Sequence, residues 1–158
     1  MNKAKSIDIF NTLIEVNNDR REGYETAAKE TNEADLKMLF ADCQATSQQC
    51  IAELTYEVHK LGGMPTQGTS TTGKFFRAWM DIKVALTAND RKTILDSCEY
   101  GEDAAITLYE GTLKNNRENL EPQQRLLIND QCAFIKADHS RIKGLRDMLV
   151  VEHDYDAL

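Results

Sequence analysis

Four long stretches of this chain repeat apolar residues at helical spacing, and in each the stripe turns polar or small near its middle. Stepped at about 100° per residue, the inward face of the first stretch reads Phe10, Leu13, Ile14, Asn17, Arg21, Tyr24 and Ala28. The last reads Leu127, Gln131, Phe134, Asp138, Arg141, Ile142 and Leu145. Such stripes are buried by packing the helices on one another, so an all-α bundle is expected. A core that is oily at both ends and polar at its waist is where helical proteins hold metals, cofactors or compensated charges.

The breaks between stretches are few, because 158 residues contain only two prolines, Pro65 and Pro122, and eight glycines. The first helix is expected from Ser6, as N-cap, to Glu30, and the second from Ala34 to Leu61. The second should bury Leu36, Leu39, Phe40, Cys43, Ser47, Cys50, Leu54, Val58 and Leu61, and stop at Gly62-Gly63 before Pro65. A loop over 64–73 leads to a short helix from Lys74 to Thr87. Asn89-Asp90 then caps a third long helix, Arg91 to Leu113, with Ile94, Cys98, Gly101, Ala105, Leu108 and Thr112 on its core face. Pro122 opens the fourth long helix, which is expected to run to Val150 and leave an acidic, frayed tail at 151–158. Residues 1–150 form one domain on this reading.

Each long helix should span roughly 35–43 Å at about 1.5 Å per residue. Short links make the first and last pairs antiparallel. The connection over 62–90, a loop plus a short helix, can travel the whole length of the bundle and leave the second and third long helices parallel. That is the one-crossover topology of ferritin-like four-helix bundles.

Composition sets limits on function. A net charge of −7 and a pI near 5.0 argue against nonspecific binding to nucleic acid or to an anionic membrane. No apolar run approaches the roughly 20 residues that span a bilayer, and the N-terminal segment lacks a secretory h-region. Cys43, Cys50, Cys98 and Cys132 form no C-x-x-C pair and read as reduced thiols of a cytoplasmic protein. Cys43, Cys50 and Cys98 fall on inward faces as small hydrophobes, with soft-metal binding as the alternative.

At the waist, counting from the helix midpoints places Arg21 level with Asp138, and a buried Arg–Asp pair is expected there, because either charge alone would be costly. Asn17, Tyr24, Ser47, Glu102 and Gln131 lie within a turn or two and complete a polar network. The competing reading is a metal centre. A di-iron site takes a Glu from each of two helices and Glu-x-x-His from each of the other two. Here the second helix has Gln48-Gln49-Cys50-Ile51 at that place, and the fourth has Lys136-Ala137-Asp138-His139. Glu22, Glu53, Glu99, Glu102, Asp138 and His139 remain as candidate ligands for iron, manganese or zinc, with His139 turned about 100° from Asp138 towards the flank. No phosphate loop, nucleophile elbow or Cys–His catalytic pattern occurs. On the short helix, Phe75, Phe76 and Trp79 either pack onto the outer groove of the bundle or form a homodimer surface.

The segments Asn17-Asn-Asp-Arg-Arg-Glu-Gly-Tyr24, Leu61-Gly-Gly-Met-Pro65, Arg77-Ala-Trp-Met-Asp-Ile-Lys83, Cys98-Glu-Tyr-Gly-Glu-Asp-Ala104 and Asp138-His-Ser-Arg-Ile-Lys-Gly-Leu-Arg-Asp147 occur in this order. Together they resemble a bacterial family of stand-alone ferritin-like four-helix-bundle proteins, a domain of unknown function distantly related to di-iron carboxylate proteins. The resemblance implies the fold and a bacterial cytosolic protein, and brings no catalytic residues. The expected function is therefore a non-catalytic bundle with a buried polar network and no resident cofactor. The alternatives are a metal-binding protein that handles iron or oxidative stress, and an interaction module that uses the Phe75–Trp79 surface.

Overall fold

A computed structural model describes residues 2–69 and 74–156, and every regular element among them is helical. Helix α1, Lys3–Glu30, is capped by Asn2, whose side chain accepts from the Lys5 N–H at 3.2 Å. Ser6, expected as the cap, lies within α1. Buried there, its hydroxyl donates to the Asn119 carbonyl at 2.6 Å. Helix α2, Ala34–Lys60, ends as its glycines foretell. Gly62 takes φ +79° and donates to the His59 carbonyl, and Gly63 donates to that of Val58. This is the paired C-terminal closure that a left-handed glycine permits.

Helix α3, Lys74–Ala88, stops at Asn89, which adopts φ +52°. Asp90 then caps α4, Arg91–Asn115, by accepting from the Lys92 N–H at 3.2 Å. A single 3₁₀ turn, Arg117–Asn119, precedes α5, Pro122–Asp156, which continues six residues beyond the end expected at Val150.

Side-chain pairs fix the helix directions. Gly63, just past the end of α2, lies against Ile7 near the start of α1, so these helices are antiparallel. Gln131 and Lys136 of α5 reach Tyr109 and Glu110 of α4, and Arg146 further along α5 meets Glu99 nearer the start of α4, so this pair is also antiparallel. Arg91, the first residue of α4, bonds Glu33 at 3.1 Å and Asp35 at 2.6 Å at the start of α2. Helices α2 and α4 are therefore parallel, and residues 61–90 carry the chain from one end to the other.

The buried residues follow a spacing of about 3.5, the seam of left-handed helix packing. On α1 that seam holds Ser6, Phe10, Leu13, Asn17, Arg20, Tyr24 and Ala27, with Ile14, Val16, Asn18, Asp19 and Gly23 buried beside it. On α5 it holds Gln124, Ile128, Gln131, Ile135, Asp138 and Ile142, with Cys132 buried beside it. The expected faces were therefore one residue out of phase in places. Phe134 and Arg141 are exposed while Ile135 is buried, Ile142 is buried as expected, and Arg141 pairs with Asp42 at 2.9 Å on the surface. On α4, Tyr109 is buried rather than Leu108.

The apolar seam splits into two clusters. One, around Phe10, Leu13, Leu54, Tyr109 and Ile135, lies towards the start of α1. The other, around Tyr24, Leu39, Phe40, Leu95 and Ile142, is closed by Trp79 and Ile82 of α3. Trp79 meets Tyr24 edge-on, 4.9 Å between ring centroids, and sits directly on Gly23, where a Cβ would come within 2.1 Å of the indole. Gly23 is thus required for close approach. Among the described residues, no helix is long and apolar enough to cross a membrane.

Candidate functional site

Between the two apolar clusters lies a continuous chain of polar side chains drawn from four helices. Its centre is an arginine, and it is Arg20, not Arg21. Arg20 is fully buried, whereas Arg21 is only half-buried on the flank of α1. The seam through Phe10, Leu13, Asn17 and Tyr24 takes the residue before the expected one at two steps, Arg20 and Ala27.

The guanidinium grips Glu102 of α4 with two parallel bonds, Nε to Oε1 at 2.9 Å and Nη2 to Oε2 at 3.1 Å. Nη2 also reaches Asp138 of α5 at 3.2 Å, and Nη1 donates to Asn17 Oδ1 at 3.0 Å. This fork geometry is what an arginine offers and a lysine does not. The Tyr24 hydroxyl donates to Glu102 Oε1 at 2.7 Å, so both oxygens of a fully buried carboxylate are satisfied. From Asn17 the network continues through Nδ2 to the Tyr109 hydroxyl at 2.8 Å. The Tyr109 hydroxyl donates to Gln131 Oε1 at 2.8 Å, and Gln131 Nε2 reaches Glu53 of α2 at 3.1 Å.

Of the residues expected in the network, Asn17, Tyr24, Glu102, Gln131 and Asp138 are brought together. Ser47 is buried but donates to the Cys43 carbonyl of its own helix at 2.9 Å, so it does not join. The Thr46 hydroxyl, next to Ser47, donates to the Asp42 carbonyl of its own helix at 3.1 Å. Arg20 and Tyr109 were missed; a seam counted at about 3.5 residues through Leu95, Cys98, Glu102 and Ala105 reaches Tyr109 directly.

Electrostatics follows from burial. Burial opposes the charge on Arg20, but Glu102 outweighs it and holds the guanidinium protonated beyond its ordinary range. Asp138 is pushed up to about 6, chiefly by burial and also by the like charge of Glu102, with Arg20 pulling the other way. Burial raises the Tyr24 and Tyr109 hydroxyls well above their usual value, so both are neutral donors. It also pushes the Cys50 thiol up to about 12, and Cys43 and Cys98 higher still, which disfavours the thiolates that a soft metal needs.

The candidate metal ligands separate into three places. Glu22 is exposed, in a cleft between α1 and α3 of about 360 Å³ shared with Asp19 and Lys83. Glu53, Glu102 and Asp138 are held in the hydrogen-bonded network. Glu99 and His139 meet on the α4–α5 flank, joined by Asp103. Of the aromatic candidates, Trp79 is buried under α3 and unavailable as a surface anchor; the side chains of Phe75 and Phe76 lie outside the described residues.

The sequence profile of a domain of unknown function, DUF2383, matches residues 5–115, from α1 to the end of α4. A search of curated proteins finds no match.

Proposed function

We propose that the chain, which belongs to the DUF2383 family, is a ferritin-like four-helix bundle of one domain, over residues 1–150, whose waist performs no catalysis. The parallel pair α2 and α4, with the connection between them running the length of the molecule, supports the ferritin-like topology. The resemblance of its segments supports a bacterial cytosolic protein.

One observation carries the functional reading. Where a ferritin-like bundle would hold cations between carboxylates, this chain places the guanidinium of Arg20 between Glu102 and Asp138. A fixed positive charge with its donors spent on those carboxylates takes the place of an ion and repels one. The network then serves to fix the register of four helices at mid-bundle, a role that buried polar groups can fill.

The test is a double-mutant cycle on equilibrium unfolding. Arg20→Met should be far less stable than wild type, and Arg20→Met with Glu102→Leu should regain more than half of that loss. Equal losses in the single and the double variant would sink the reading. A second reading, metal binding in iron or peroxide handling, draws its support from the flank and not from the waist.

A further inference from the structure

We propose that Glu99, Asp103 and His139 form a mononuclear site for a first-row divalent cation on the α4–α5 flank, outside the polar network at the waist. Glu99 and Asp103 stand four residues apart on one face of α4, the spacing at which side chains become neighbours. His139 faces them from α5. Its Nε2 lies 2.8 Å from Asp103 Oδ1 and 3.6 Å from Glu99 Oε1, and the three donor atoms all fall within 4.8 Å of one another. Metal–ligand bonds of about 2.0–2.2 Å set neighbouring donors roughly 3–3.5 Å apart, so the trio needs only small side-chain adjustments to close on one ion.

Hydrogen bonding among the three is incomplete, which points the same way. His139 Nε2 is a buried atom with no hydrogen-bond partner, although Asp103 is close enough; the two are not aligned for donation. An unprotonated Nε2 turns its lone pair toward two carboxylates, an arrangement that a cation bound to that nitrogen relieves as a proton does.

Charge also favours a cation. Glu99 and Asp103 are like charges at a spacing where repulsion is felt. Arg146 contacts Glu99 but also serves Asp96 and Asp147, and among the described residues Asp103 has no ion-pair partner besides His139. One imidazole and two carboxylates suit zinc, manganese or ferrous iron, with water completing the shell. The neighbours of two of these residues, Glu102 and Asp138, point into the waist, so the same turns of α4 and α5 supply both clusters.

The site stands or falls separately from the reading of the waist. The experiment titrates the EDTA-stripped full chain with zinc and, separately, with manganese by calorimetry, with thermal melts alongside. One ion per chain is expected, together with a rise in Tm on saturation. His139→Gln should weaken binding at least tenfold and abolish the rise in Tm, with helix content by circular dichroism unchanged, and Asp103→Asn should act in the same direction. Asp138→Asn should leave uptake intact. No stoichiometric uptake, or uptake undiminished in His139→Gln, overturns the proposal. Uptake lost in Asp138→Asn but kept in His139→Gln would move the ion to the waist and overturn the reading of the core as well.

Discussion

Two charged clusters lie side by side in this molecule, built from consecutive residues of the same helical turns, and they treat charge in opposite ways. Glu102 and Asp138 face inward, where Arg20 and Tyr24 meet their oxygens. Asp103 and His139, one position on in each helix, face the flank, where a buried ring nitrogen is left without a hydrogen bond. A rotation of about 100° separates the two environments. In the interior an unpaired charge is so costly that the chain must supply its own counter-charge. At the flank, water screens an excess of carboxylate, and that excess can persist for an ion to use.

The comparison breaks most visibly at Arg20. Arg20→Met leaves Glu102 buried without its cation and should lower the unfolding free energy by about 3–5 kcal/mol in urea melts. Next comes Tyr109→Phe, which strips the hydroxyl that joins Asn17 to Gln131 and leaves buried amide groups unpaired. A loss of about 1–3 kcal/mol is expected from the same measurement.

Asp138 sharpens the contrast through pH. Its carboxyl titrates near 6 in the folded protein, above the value of about 3.9 expected for an unfolded chain. Between about pH 4 and pH 6 the native state therefore holds more protons, and the contribution of this group to stability falls as pH rises through that window. Asp138→Asn should remove that part of the pH dependence, so its stability relative to wild type improves from pH 4 to pH 8. An unchanged difference across that range would show that Asp138 carries no raised pKa. The smallest effect belongs to the flank. In the absence of metal, Asp103→Asn should change stability by less than about 1 kcal/mol, because the group is largely solvated.

The long helices, their direction and the polar waist could be read from the chain because they depend on periodicity, on the stop at Gly62-Gly63 and on the length of the 61–90 connection. The identity of the central arginine could not. The residue pairs that compete for the seam on α1 are Arg20 with Arg21 and Ala27 with Ala28. Each pair offers nearly the same chemistry at both positions, so no count of apolar residues could choose the phase. On α5, stepping from Leu127 instead of Ile128 carried the error to Phe134 and Arg141.

What the sequence determined by itself is an all-helical chain whose inward stripes turn polar or small near their middles. Only packing decided which residues fill the core, because a seam repeating at about 3.5 is selected by the partner helices and not by the helix that carries it. Packing likewise buried Trp79 on Gly23, a contact that depends on α3 lying across α1. It also set His139 beside Glu99 and Asp103, residues remote in the chain that meet only once α4 and α5 run antiparallel.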